Sequence, residues 1–75
     1  MDYEMINRKI LDKFKEKLVV NKNELIDLIK DDVKNPGNPR KVIDAMTKML
    51  VQKKMIIPLY TSESTFAITQ RGIKE

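Results

Sequence analysis

"NPGNPRK", residues 35–41, is the stretch that decides the fold of this chain. Its Asn-Pro and Pro-Gly pairs are strong turn signals, because Pro fixes φ and Gly tolerates positive φ. Asn38 and Pro39 also form a helix start, with an Asn N-cap and Pro at the first helical position. Arg40 and Lys41 then fall in the first turn, where the helix dipole favours anions. We therefore expect a turn and a helix that holds two cations for an external anion.

The positive charge of the chain is concentrated in the segment that this turn opens. The 75 residues carry 15 cationic and 11 anionic side chains, for a net charge of +4. Residues 34–54 contribute +5, residues 1–33 contribute −1 and residues 55–75 contribute zero. A local basic surface is typical of nucleic-acid binding. A solvated basic helix that keeps the protein soluble explains the charge alone equally well.

The composition argues against several classes of protein. The chain has no Cys and no His, so it lacks disulfides, thiolate metal sites and the commonest general base. We therefore expect no enzymatic activity, no metal and no cofactor. No apolar run approaches the roughly 18 residues that span a bilayer, and the acidic N-terminus is unlike a secretory signal peptide. These features favour a single cytoplasmic domain over residues 1–75, without a membrane partner.

Apolar spacing predicts three helices, over residues 3–18, 22–32 and 39–54. The second begins with Asn21 and Glu24 at capping-box spacing. Each helix has apolar residues at intervals of three and four, which predicts a side that faces the core. The predicted core positions are Ile6, Ile10, Leu11, Phe14, Leu18, Leu25, Ile26, Leu28, Ile29, Val42, Ile43, Met46, Met49 and Leu50.

Two strands joined by a short polar tip are predicted over residues 55–69. The first contains Pro58, which cannot donate to a sheet ladder, so we expect it at a sheet edge. Tyr60 and Phe66 are expected to pair across the hairpin. The two valines at 19–20 lie between helices and are expected to add one edge bridge to the sheet.

The element order is helix, short strand, helix, turn, basic helix, strand, tip and strand. It resembles the winged helix-turn-helix DNA-binding domains of small bacterial and archaeal regulators, over nearly the whole chain. "LVQKKMI", residues 50–56, is similar to that family's junction between the recognition helix and the first wing strand. "FAITQRG", residues 66–72, is similar to the close of its second wing strand, and we interpret Gly72 as a turn or helix breaker. The resemblance implies an α+β fold of three helices with a small antiparallel β-hairpin wing.

Two features of the chain depart from the family pattern. Lys54 stands where the family often has a Gly that caps the recognition helix in the left-handed conformation. The wing tip, residues 61–65, has no cation, whereas family wings that enter the minor groove usually carry Arg or Lys. Glu63 at this tip would repel phosphate. Either the wing contributes little to DNA binding or this surface does not meet DNA.

The resemblance implies that helix 39–54 enters the DNA major groove with its N-terminal end first. Open backbone N–H groups near its start would then donate to a phosphate, beside cations that meet phosphates or guanine edges. Asp44 would accept from a cytosine amino group or, as we expect, form a salt bridge with Lys41 or Lys48. The serines of the wing would donate to phosphate oxygens. The expected DNA-binding residues are Asn38, Arg40, Lys41, Asp44, Lys48, Gln52, Ser62, Ser64 and Arg71.

The leading hypothesis is a small DNA-binding protein, a transcriptional regulator or a general, nucleoid-associated binder, with double-stranded DNA as its partner. A homodimer through helix 3–18 is a further prediction, because Met5 lies off the core face. The alternative is a winged-helix interaction subunit or adaptor with a protein partner in a transcription, replication or other multi-protein complex. The uncharged wing tip and a Val51 expected at the surface favour that alternative.

Overall fold

The structure is a computed structural model that describes residues 2–33, 37–60 and 62–74, without the side chains of residues 62 and 63. Its elements in these ranges are α1 (Tyr3–Lys17), β1 (Val19–Asn21), α2 (Lys22–Ile29), a 3₁₀ turn (Lys30–Asp32), α3 (Pro39–Gln52), β2 (Ile56–Leu59), β3 (Ser62–Ile68) and α4 (Gln70–Lys74). They form an α+β fold, as predicted. The turn predicted over residues 35–37 includes positions that lie outside the described residues.

The end of α1 differs from the prediction at Leu18. This residue was expected on the core face, but it is 53% exposed and forms the C-cap of α1 with a φ of 68°. The reason is that the chain turns here from helix into sheet. The Leu18 N–H donates to the Phe14 carbonyl at 2.7 Å, and the Leu18 carbonyl accepts from the Ile68 N–H at 2.9 Å. Leu18 therefore joins α1 to the sheet through its backbone.

The start of α2 has the predicted capping box. The Asn21 side chain accepts from the Asn23 N–H at 2.8 Å, and the Glu24 carboxylate accepts from the Asn21 N–H at 2.9 Å. The α-helix ends at Ile29, and the last three predicted helical residues form the 3₁₀ turn. Asp32 in that turn pairs with Lys9 of α1 at 2.7 Å, which links the two helices.

The three strands in the described residues form an antiparallel sheet in the order β1-β3-β2. Pro58 therefore lies in an edge strand, as predicted. The predicted pairing of Tyr60 with Phe66 is wrong. Phe66 pairs with Pro58 on one side and with Val20 on the other, and Tyr60 is fully exposed. The cause is the register of the hairpin, in which Phe66 is opposite Pro58, and Tyr60 lies beyond the last residue of β2.

The core lies between α1, α2 and α3 and one face of the sheet. Its largest fully buried side chains are Phe14, Ile6, Ile10, Leu25, Ile29, Ile43, Leu50, Ile56 and Val20. Val51 was expected at the surface, but it is half-buried and packs against this core. Apolar burial is the main stabilising term in a domain of this size. The apolar side of α3 therefore packs on the core, and its opposite side faces solvent.

The C-terminal helix α4 is an element that the sequence did not predict. Gly72 was interpreted as a breaker, but it lies inside this helix. A Cβ at Gly72 would lie 2.4 Å from the Met55 carbonyl oxygen and 2.7 Å from Ile68 Cγ1. The glycine therefore permits a close approach of α4 to the start of β2. No helix within the described ranges is both long and apolar enough to cross a membrane.

Candidate nucleic-acid interface

The first turn of α3 is capped as the sequence predicts. Asn38 has an extended backbone, and its Oδ1 accepts from the N–H groups of Arg40 at 3.0 Å and of Lys41 at 3.4 Å. The Val42 N–H donates to the Asn38 carbonyl at 3.1 Å. The cap thus uses backbone donors that we expected to be open to a phosphate. An anion at this end of α3 would therefore be bound by the cationic side chains rather than by these N–H groups.

The outer face of α3 consists of side chains that recur at helical spacing and point away from the core. They are all exposed. This outer face comprises Arg40, Lys41, Asp44, Ala45, Lys48 and Gln52. The structure thus places the predicted residues of α3 on one surface. Ala45 was not predicted as part of this face. Its spacing, four residues after Lys41 and three before Lys48, would have indicated that it lies there.

The only acidic residue of α3 has a different partner from the ones expected. Asp44 Oδ1 lies 2.6 Å from Nζ of Lys22, at the start of α2, and not beside Lys41 or Lys48. Packing of α2 against α3 brings these two residues together. The Lys22 side chain in this pair is 22% exposed, so solvent reaches it only in part. Lys22 therefore balances the one negative charge of the outer face, and a tertiary contact of this kind leaves no local signal in sequence.

A second group of cations lies at the C-terminal end of α3. An open groove of about 390 Å³ is lined by Gln52, Lys53, Lys54, Met55 and Arg71. We call it the C-terminal groove. It brings together two predicted residues, Gln52 and Arg71, that are 19 positions apart in the chain. Lys53 and Lys54 were not predicted as site residues, although the sequence shows them within the basic segment.

The hairpin gives less support to the predicted interface. Ser64 is half-buried in β3. The side chain of Ser62 lies outside the described residues, as do Thr61 and the side chain of Glu63. Phosphate contacts from this tip stay a prediction.

The surface of α1 bears on the predicted homodimer. Met5 is 41% exposed and Tyr3 is 58% exposed, so Met5 lies off the core face as expected. An open groove of about 660 Å³ runs along α1 and reaches Lys53 and Met55. The side chains that line it carry both signs of charge. Dimerisation through α1 stays a prediction.

Glu24, at the start of α2, is paired with Lys17. A hydrogen bond from Lys17, then one from the Asn21 N–H, lowers the pKa of Glu24 below its ordinary value. In the described ranges no three His, Cys, Asp or Glu side chains are grouped as a metal ion would require.

The candidate interface thus consists of the outer face of α3 and the C-terminal groove beside its last turn. Cations predominate in both, and the single acid of α3 is paired with Lys22. No protein-family model, curated protein or solved structure matches this chain.

Proposed function

We propose that this protein binds double-stranded DNA through the outer face of α3, as a small winged-helix regulator or general DNA-binding protein. The observation that carries the proposal is the charge of that face. Arg40, Lys41 and Lys48 are exposed on one side of a 14-residue helix, and the acid among them is paired with Lys22. A helix presented in this way fits the major groove of B-DNA, which is about 12 Å wide.

Each side chain has a distinct role in this mode of binding. Arg40 donates as a planar fork to a phosphate or to guanine O6 and N7. Lys41 and Lys48 act as point charges on the phosphates that flank the groove. Ala45, exposed near the middle of the face, is short enough to allow close approach to base edges and suits contact with a thymine methyl group.

The experiment is a titration of a labelled random duplex, followed by fluorescence anisotropy at several salt concentrations. With about four to six phosphate contacts, the logarithm of the association constant should fall with the logarithm of salt concentration with a slope of about −4 to −5. The Arg40→Glu/Lys41→Glu variant should lose most of the binding. Glutamate is favourable in the first turn of a helix, so this change should not unfold α3.

A matched variant, Lys13→Glu/Lys30→Glu, makes the same change in net charge outside the outer face. It should retain most of the affinity. If Arg40→Glu/Lys41→Glu binds as tightly as wild type, α3 does not hold the DNA. If both variants weaken binding equally, net charge rather than this face controls the affinity.

A protein partner is the second candidate, and the outward face of the sheet favours it. Val19, Ala67 and Ile57 are aligned in register across the three strands, on the side opposite the buried Val20 and Phe66. Val19 is 44% exposed and Ile57 is 50% exposed, so they form an apolar row. Absence of duplex binding at low salt, with a stoichiometric partner that Ile57→Lys releases, would favour this adaptor function.

A further inference from the structure

The helix α4 is held tightly against the turn between α3 and β2. The Thr69 hydroxyl lies 2.7 Å from the Lys54 carbonyl and 3.0 Å from the Met55 carbonyl. The Thr69 N–H donates to the Met55 carbonyl at 2.9 Å, and the Thr69 hydroxyl oxygen accepts from the Gly72 N–H at 3.2 Å. Because Gly72 has no Cβ, α4 packs directly on Met55. The position of the first turn of α4 is therefore fixed by backbone and hydroxyl contacts.

This packing places Arg71 in the C-terminal groove with the last cations of the basic segment. Lys53, Lys54 and Arg71 all line the groove, together with an amide, Gln52, and no acidic residue. Three like charges that share one groove repel one another, and an anion in the groove would relieve that repulsion. Hydrogen-bond donors on several side chains suit the oxygens of a phosphate.

We propose that the C-terminal groove binds a phosphate of the DNA backbone. This inference rests on the proposed function and adds a second anchor to it. Arg40 and Lys53 are 13 residues apart, so at a rise of about 1.5 Å per residue the two anchors are separated by roughly 20 Å along α3. Contacts to phosphates fix the orientation of a protein on the duplex without reading sequence.

The second anchor would take the place of a charged hairpin tip. Residues 61–65 contain no Lys or Arg, so the tip has no cation to hold a phosphate. Arg71 lies three residues after the end of β3, and its position in α4 places it in the same groove as Lys53 and Lys54. Arg71, which follows the hairpin in sequence, thus adds a cation to the surface at the end of α3.

The test compares Lys53→Gln/Arg71→Gln with Lys13→Gln/Lys30→Gln, which removes the same charge without touching this groove or the outer face of α3. Binding is measured by anisotropy on a random 16-base-pair duplex over a range of salt concentrations. The molecule extends 34 Å along its longest axis, which is about ten base pairs at 3.4 Å each, so such a duplex covers both anchors.

Loss of this phosphate contact should reduce the magnitude of the salt slope by about 1 and weaken binding roughly tenfold near 0.1 M salt. The control variant should keep the wild-type slope. If Lys53→Gln/Arg71→Gln keeps that slope while Arg40→Glu/Lys41→Glu loses binding, the groove is not an anchor and the function of α3 stands. A control that loses as much slope overturns the anchor too, and wild-type protein that binds no duplex overturns both proposals.

Discussion

Lys54 and Leu18 share an unusual backbone, since both have positive φ values, of 62° and 68°. Side chains other than Gly are strained in this region because Cβ approaches the backbone oxygen. The family resemblance placed a left-handed cap at Lys54, so that conformation was anticipated. Nothing in the sequence anticipated the one at Leu18, because it follows from the hydrogen bond between its carbonyl and Ile68 in a distant strand.

Lys54→Gly should raise the free energy of unfolding by about 0.5 to 1 kcal/mol, because relief of the strain exceeds the added freedom of the unfolded chain. Lys53→Gly is the matched control. It removes the same charge at a residue whose φ is −81°, where Gly gives no relief and should destabilise. Urea unfolding of both variants gives the comparison, and a loss of stability in Lys54→Gly as large as in Lys53→Gly would contradict the account.

Among the elements, those that local chemistry determines were predictable. The Asn38 cap, the Asn21 capping box and the edge position of the strand with Pro58 each depend on residues close in sequence, and the structure contains all three. The pairing of Asp44 with Lys22 depends on how two helices pack. The gathering of Arg71 into the C-terminal groove likewise depends on tertiary packing, which single-sequence patterns do not encode.

The start of α2 makes stability depend on pH. The hydrogen bond from Lys17 lowers the pKa of Glu24 in the folded protein, so the unfolded chain takes up this proton first as the pH falls. The contribution is fully present above the unfolded pKa of about 4.3 and is lost as the pH falls through the lower folded pKa. Thermal unfolding of Glu24→Gln across this range should show a smaller decrease on acidification than wild type.

Glu16→Gln provides the comparison for that measurement, because Glu16 is exposed on α1 and is outside the capping box. It should retain the acid dependence of wild type. Equal acid dependence in wild type and Glu24→Gln would show that the carboxylate is not stabilised by folding.

For the whole molecule, small size makes each core side chain important. A chain of 75 residues has a free energy of unfolding of roughly 4 to 11 kcal/mol. Phe14 is a fully buried member of the core cluster, whereas Tyr60 is fully exposed. The two aromatic residues therefore differ in environment much more than in size.

Phe14→Ala should cost about 3 to 5 kcal/mol, because it removes buried apolar surface and leaves a cavity. That is a large share of the total, so we expect a substantial unfolded population on modest heating. Tyr60→Ala should change stability by less than about 0.5 kcal/mol. Calorimetry distinguishes the two, and similar melting temperatures for both variants would mean that burial of Phe14 contributes little to stability.

The edges of the sheet also affect the tendency of the protein to aggregate at high concentration. Exposed edge strands act as templates that recruit strands from other chains into fibrils. Here one edge, β1, is three residues long, and the other, β2, has four residues and lacks one N–H at Pro58. A foreign strand would gain few main-chain hydrogen bonds at either side. These short edges should therefore limit amyloid-like aggregation of the protein at high concentration.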